Sequence, residues 1–243
     1  MSRRTIAIAA ALSVLTLGSP LNVARANPPF EQYIDQGVER YNSGNYREAL
    51  AAYTKAIEID PQYAFLYNYR GDAKHKLQDF QGAIADYTKA IAINPQFDEA
   101  YLYRGISKAY LKDYQGSIAD YTKAIAINPQ FDEAYLNRGI SKAYLKDYQG
   151  SISDSTEAIQ INPQNATAYY NRALSKGKLK DLQGAIADFN KALEINPKYG
   201  SAYLNRGIAR ELTNDLQGAC DDWRKAADFG QTVDAELVKK QCS

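Results

Sequence analysis

Proton transfer near neutral pH usually calls on an imidazole, and this 243-residue chain has one, His75. Its neighbours in sequence carry no metal-ligand spacing, so His75 reads as a polar residue on a helix face, and no metal is implied. A nucleophile–histidine–acid set has no other histidine to draw on. No phosphate-cradling loop and no dinucleotide fingerprint is present. Carboxylates are plentiful, but they recur at a fixed interval, which is what a structural role predicts. The chain therefore reads as no enzyme, with no catalytic residues, no cofactor and no small-molecule substrate.

The interval itself is the strongest signal. Pro61, Pro95, Pro129, Pro163 and Pro197 recur every 34 residues. Counting Phe30 as position 1, six units fill 30–63, 64–97, 98–131, 132–165, 166–199 and 200–233, after a short linker at 27–29. The segments YLYRGISKAYLKDYQG, from Tyr101, and YLNRGISKAYLKDYQG, from Tyr135, differ only at Tyr103 and Asn137. The third and fourth units differ at six of 34 positions, a recent duplication. Each unit reads as two helices. In the third, the first runs from Asp98 to about Leu111, Lys112-Asp113 turns the chain, and the second runs from Tyr114 to Ile127. Asn128-Pro129 ends it, because proline cannot continue a helix. One such hairpin cannot bury its own apolar faces, so neighbours must stack.

Tyr at position 4, Gly at 8, Ala at 20, Tyr or Phe at 24, Ala at 27 and Pro at 32 resemble the tetratricopeptide repeat. The resemblance covers 30–233. It implies an all-α fold, a right-handed α-solenoid of six helix-turn-helix units. Three departures are local: Ala173 stands at position 8 of unit five, Ser155 at position 24 of unit four, and Gln231 replaces the last proline.

A fourth departure is periodic. Position 7 is arginine in units two to six (Arg70, Arg104, Arg138, Arg172, Arg206). Position 23 is aspartate in the same units (Asp86, Asp120, Asp154, Asp188, Asp222). The two positions lie symmetrically about the turn, so an antiparallel hairpin brings them level. Unit one has Gln36 and Ala52, losing both partners together. An Arg–Asp pair is expected in each of units two to six. Ser155 removes a core ring, and unit four is expected to be the softest internal repeat.

Stacked hairpins curve, and their first helices line the concave face. Positions 2, 6, 9 and 13 form one stripe along it, flanked by position 5. The expected peptide-binding groove is Tyr69, Leu102, Tyr103, Ile106, Tyr110, Leu136, Asn137, Ile140, Tyr144, Asn171 and Asn205. Position 6 passes from tyrosine to asparagine along the row, and an asparagine amide can pair with a peptide backbone without reading its sequence. This row is similar to the asparagine ladder of O-GlcNAc transferase repeats. The carboxylate clamp of chaperone-binding tetratricopeptide domains is missing, since positions 5 and 9 carry mostly leucine and isoleucine.

Both ends carry further signals. Ser2-Arg3-Arg4, the apolar run TIAIAAALSVLTLG and Ala24-Arg25-Ala26 have the layout of a cleaved signal peptide over 1–26. Without Arg3, Arg4 and Arg25, 26 Lys+Arg face 28 Asp+Glu, a net charge of about −2 and no footprint for nucleic acid. No later segment is long or apolar enough to span a membrane. At the other end, 234–243 reads as an amphipathic capping helix. Packed antiparallel after a turn near Gly230, it sets Cys242 opposite Cys220, and a disulfide is expected. The repeat style resembles exported bacterial and cyanobacterial tetratricopeptide proteins, which implies a periplasm or a thylakoid lumen. The functional expectation is a scaffold that binds a protein or peptide partner, aiding assembly of envelope or photosynthetic complexes. The alternative is a structural, weakly self-associating repeat module.

Overall fold

A computed structural model describes residues 28–232 and Cys242. Those residues form twelve helices and no strand. In order they are α1 (Pro28–Asn42), α2 (Tyr46–Ile59), α3 (Ala64–Lys76), α4 (Phe80–Ile93), α5 (Asp98–Tyr110) and α6 (Tyr114–Ile127). Then follow α7 (Asp132–Tyr144), α8 (Tyr148–Ile161), α9 (Ala166–Lys178), α10 (Leu182–Ile195), α11 (Gly200–Leu212) and α12 (Leu216–Asp228). The expected signal segment 1–26 and the expected capping helix 234–243 lie outside the described residues, Cys242 apart. One boundary is corrected: α1 starts at Pro28, so Pro28 and Pro29 belong to its first turn and not to a linker. Proline is tolerated there because first-turn N–H groups have no intrahelical acceptor.

Each hairpin turns the same way. The residue at position 15 takes a left-handed backbone: Gly44 in the first hairpin, then Gln78, Lys112, Lys146, Lys180 and Asn214, with φ between 62° and 79°. The next residue caps the second helix. Asp113 accepts from the Gly116 N–H at 2.9 Å, and Asp79, Asp147, Asp181 and Asp215 do the same in their own hairpins. The second helices then end at Asp60 or at Asn94, Asn128, Asn162 and Asn196, each followed by the proline that set the repeat.

Packing is pairwise. Each helix meets its hairpin partner and the first helix of the next unit. Small residues permit the close approach: Ala56, Ala90, Ala124, Ala158, Ala192 and Ala226, all at position 27, are fully buried. Position 24 supplies the large side chains, Tyr53, Tyr87, Tyr121, Phe189 and Trp223. A Cβ on Gly105 would lie 2.6 Å from the Tyr121 ring, so glycine is required where that ring lies on α5. Successive first helices also touch one another (α3 with α5, α5 with α7, α7 with α9, α9 with α11), while no two second helices pack comparably. The first helices therefore lie on the shorter, inner arc. The result is an all-α repeat solenoid, and no described helix is long and apolar enough to cross a membrane.

Candidate functional site

The frame of the inner face is a ladder of ions. Arg104 on α5 donates from Nε and Nη2 to the two oxygens of Asp120 on α6, at 2.9 and 2.6 Å. Arg70–Asp86, Arg138–Asp154, Arg172–Asp188 and Arg206–Asp222 repeat this fork. Each arginine also reaches back to the preceding unit: Arg104 Nη1 donates to Thr88 Oγ1 at 3.1 Å, and Arg206 Nη1 donates to Asn190. Its guanidinium lies over the position-4 tyrosine, Arg104 being 5.5 Å from the Tyr101 ring centre. A second cation was not foreseen from the sequence. Lys74, Lys108, Lys142, Lys176 and Arg210 at position 11 contact the same aspartates at 2.7 to 2.9 Å. Each position-23 carboxylate thus serves two cations.

The expected groove residues do not all share one environment. Tyr110 and Tyr144 are the most open, 63% and 65% exposed. Each stacks on the ring that opens the second helix of the preceding unit: Tyr144 on Tyr114 (centroids 4.7 Å, planes 3° apart) and Tyr110 on Phe80 (4.9 Å, 14°). Tyr69 and Tyr103 are half-buried and lean on the position-24 rings of the unit before, Tyr53 and Tyr87. The asparagines partly answer to their own helices. Asn137 and Asn171 each donate to the carbonyl four residues back, and Asn205 donates to Ser201 O and Tyr170 Oη. Leu102 is corrected: it is 0% exposed, in one cluster with Tyr121, Phe131 and Ala134, and supports the groove from beneath. Leu136, its counterpart, is partly exposed.

Two clefts open along this face. The larger, about 470 Å³, is lined by Tyr41, Asn42, Tyr46, Asp72, His75, Lys76, Tyr87, Tyr103 and Ile106. The second, about 300 Å³, is lined by Ile140, Ala143, Tyr144, Tyr148, Asn171, Leu174, Ser175 and Lys178. Sequence reasoning brought Tyr103 and Ile106 to the first and Ile140, Tyr144 and Asn171 to the second. It missed Asp72, His75 and Tyr87, because their sequence neighbourhood gives no sign that units one to three converge there.

The polar groups of the larger cleft are tied to one another. Tyr87 Oη donates to Asp72 Oδ1 at 2.9 Å. Burial, with the Asp72 charge second, pushes the Tyr87 phenol well above its ordinary range. His75 Nδ1 lies 2.9 Å from Ser107 Oγ, whose hydroxyl donates to Tyr103 O at 3.0 Å. With that proton committed, His75 is the donor to Ser107, the reverse of the polarity a base–nucleophile pair needs. Burial first, and Lys76 second, lower the imidazole pKa below its ordinary value. His75 is therefore a neutral wall residue, packed edge-on to Phe80 and Tyr110.

The far end is closed covalently. Cys220 on α12 and Cys242 form a disulfide with Cα atoms 5.6 Å apart, and Arg224 donates to Cys242 O.

A solenoid of six helical hairpins, held by an ion ladder and grooved on its inner face, defines a class of interaction scaffold. Tetratricopeptide-repeat family models match residues 37–78, 71–112, 107–147 and 166–199, together more than half of the chain. The chain belongs to the tetratricopeptide repeat family. Among solved structures it is similar to the MamA protein, at 27% identity over 65% of this chain and 93% of that one, with a TM-score of 0.62. It also shares its fold with YrrB, described as a tetratricopeptide protein with an unusual peptide-binding site (20% identity, 78% and 96% coverage, TM-score 0.64). Pseudomonas aeruginosa pilF shares the fold at 17% identity, 81% and 89% coverage and a TM-score of 0.72. No curated protein matches the chain.

Proposed function

We propose that this protein is a non-catalytic, exported scaffold that holds an extended segment of a partner protein along its inner face. The observation that carries this reading is the pair of clefts with Tyr110 and Tyr144 exposed beside them. Large aromatic surface left open at the mouth of a groove is what peptide-binding surfaces use for anchoring. Tyr69, Tyr103, Tyr110 and Tyr144 supply stacking area, and Asn137, Asn171 and Asn205 offer amide groups to a passing backbone. The Cys220–Cys242 disulfide supports the exported location, because such bonds persist in oxidising compartments. A role in assembling envelope or photosynthetic complexes fits a scaffold placed there. The test is affinity capture from the native compartment with the wild-type chain and with a folded Tyr103→Ala, Asn137→Ala variant. The reading expects the variant to recover markedly less partner, and equal recovery contradicts it.

A further inference from the structure

Position 9 of the groove stripe is aliphatic in five units: Val38, Ile106, Ile140, Leu174 and Ile208. Unit two carries Asp72 there. Its side chain is buried, 5% exposed, and it lines the cleft of about 470 Å³ to which units one, two and three all contribute. A carboxylate taken out of water is costly unless hydrogen bonds and opposite charge answer it. Tyr87 Oη supplies a hydrogen bond, at 2.9 Å.

Four tyrosine rings share this cleft. Tyr41 and Tyr46 of unit one meet edge to face with centroids 5.3 Å apart, and Tyr87 lies 6.2 Å from Tyr103. An aromatic ring turns a negative face to a cation, so tyrosines beside a carboxylate suit positive charge. His75, neutral in this wall, adds no competing charge. The cleft's own cation is Lys76, which is exposed. One carboxylate with two cations is already a habit of this chain, as Asp120 with Arg104 and Lys108 shows. The same ladder sets a guanidinium over a tyrosine, Arg104 being 5.5 Å from the Tyr101 ring centre.

Charge along the stripe points the same way. In units one to four, positions 2, 6, 9 and 13 carry Glu31, Asp35, Asp72, Glu99 and Glu133 against Lys76 alone. Units five and six carry no acid at these positions. A basic segment is therefore complementary to the part of the groove that holds this cleft.

We propose that the cleft holds a basic side chain, arginine or lysine, supplied by the segment bound along the inner face. The proposal rests on the groove reading above and names the residue type that anchors there. The cation packs against the tyrosine faces, and Asp72 is its counter-charge.

The test titrates N-acetylarginine methylamide and N-acetyllysine methylamide, each a single residue of a basic segment, into the oxidised protein at constant ionic strength, followed by amide NMR. N-acetylcitrulline methylamide, close in shape to the arginine probe and uncharged, is the control. Saturable shifts are expected at Asp72, His75, Tyr103 and Ile106 with either cationic probe and not with the neutral one. They are expected to vanish in Asp72→Asn, which keeps the shape of the side chain and removes its charge. Asp72→Ile, which installs the residue that units three and four carry at this position, gives the same reading if Asp72→Asn does not fold. Absence of shifts with both cationic probes, equal shifts from the citrulline probe, or equal shifts in the charge-removed variant overturns the site. If the cationic probes leave these amides unmoved while Tyr103→Ala, Asn137→Ala still loses its captured partner, the cation site fails and the groove stands. Undiminished capture by that variant, beside Asp72-dependent binding of the probes, overturns the groove reading instead.

Discussion

Arg104 holds both oxygens of Asp120, and the same carboxylate receives Lys108 at 2.8 Å, so one buried anion stands between two cations. Removing the anion leaves two cations facing one another in a partly dry site. Asp120→Ala is expected to cost about 3 kcal/mol, in the range for a broken buried pair. Lys108→Ala, which leaves the Arg104 fork intact, should cost well under half as much. Urea unfolding of both variants measures this, and equal costs would mean that the fork is not the dominant contact.

Ser155 makes a prediction about dynamics. A hydroxyl stands where the neighbouring units bury rings, so unit four lacks the ring packing that holds Tyr121 and Phe189 in place. Amides of α7 and α8 should exchange faster with deuterium than those of α5, α6, α9 and α10 in the free protein. Equal protection across units three, four and five contradicts this.

His75 gives a pH dependence. Its pKa in the folded chain lies below the ordinary 6.5, because burial disfavours the imidazolium. The unfolded chain therefore takes up its proton first as pH falls, and stability present above pH 6.5 is lost between that value and the lowered one. The melting temperature of the wild type should drop more between pH 7 and pH 5 than that of His75→Gln. Parallel curves would remove His75 from the account.

The Cys220–Cys242 bond closes a loop across a sequence separation of 22 and ties α12 to the end of the chain. Loss of that cross-link is expected to cost about 3 kcal/mol in the chain-entropy model. Calorimetry with and without reductant should show a lower melting temperature after reduction, with the loss of exchange protection concentrated in α11 and α12.

The fold was legible because its instructions recur. A 34-residue period with proline after each second helix sets both helix number and turn position, and the symmetry of positions 7 and 23 about the turn sufficed to pair Arg104 with Asp120. What escaped were contacts that depend on three-dimensional neighbours. The position-7 and position-23 pairing gave no sign that Lys108, at position 11, reaches the same Asp120. Leu102 was assigned to the groove because period alone cannot tell that the Tyr121 ring covers it. The left-handed turn residues carry little signature, since only Gly44 among the six is a glycine. His75 looked like a surface residue because Phe80 and Tyr110, which cover it, come from the next helix and from the next unit.

The central claim is that the inner face holds a partner segment. The most direct test replaces Tyr144, on the groove, or Lys123, exposed on the second helix α6, by a photoreactive benzoylphenylalanine and cross-links each in the native compartment. The account predicts a discrete cross-linked partner band from position 144 and none from position 123. A band of equal strength from both positions, or from position 123 alone, would contradict it.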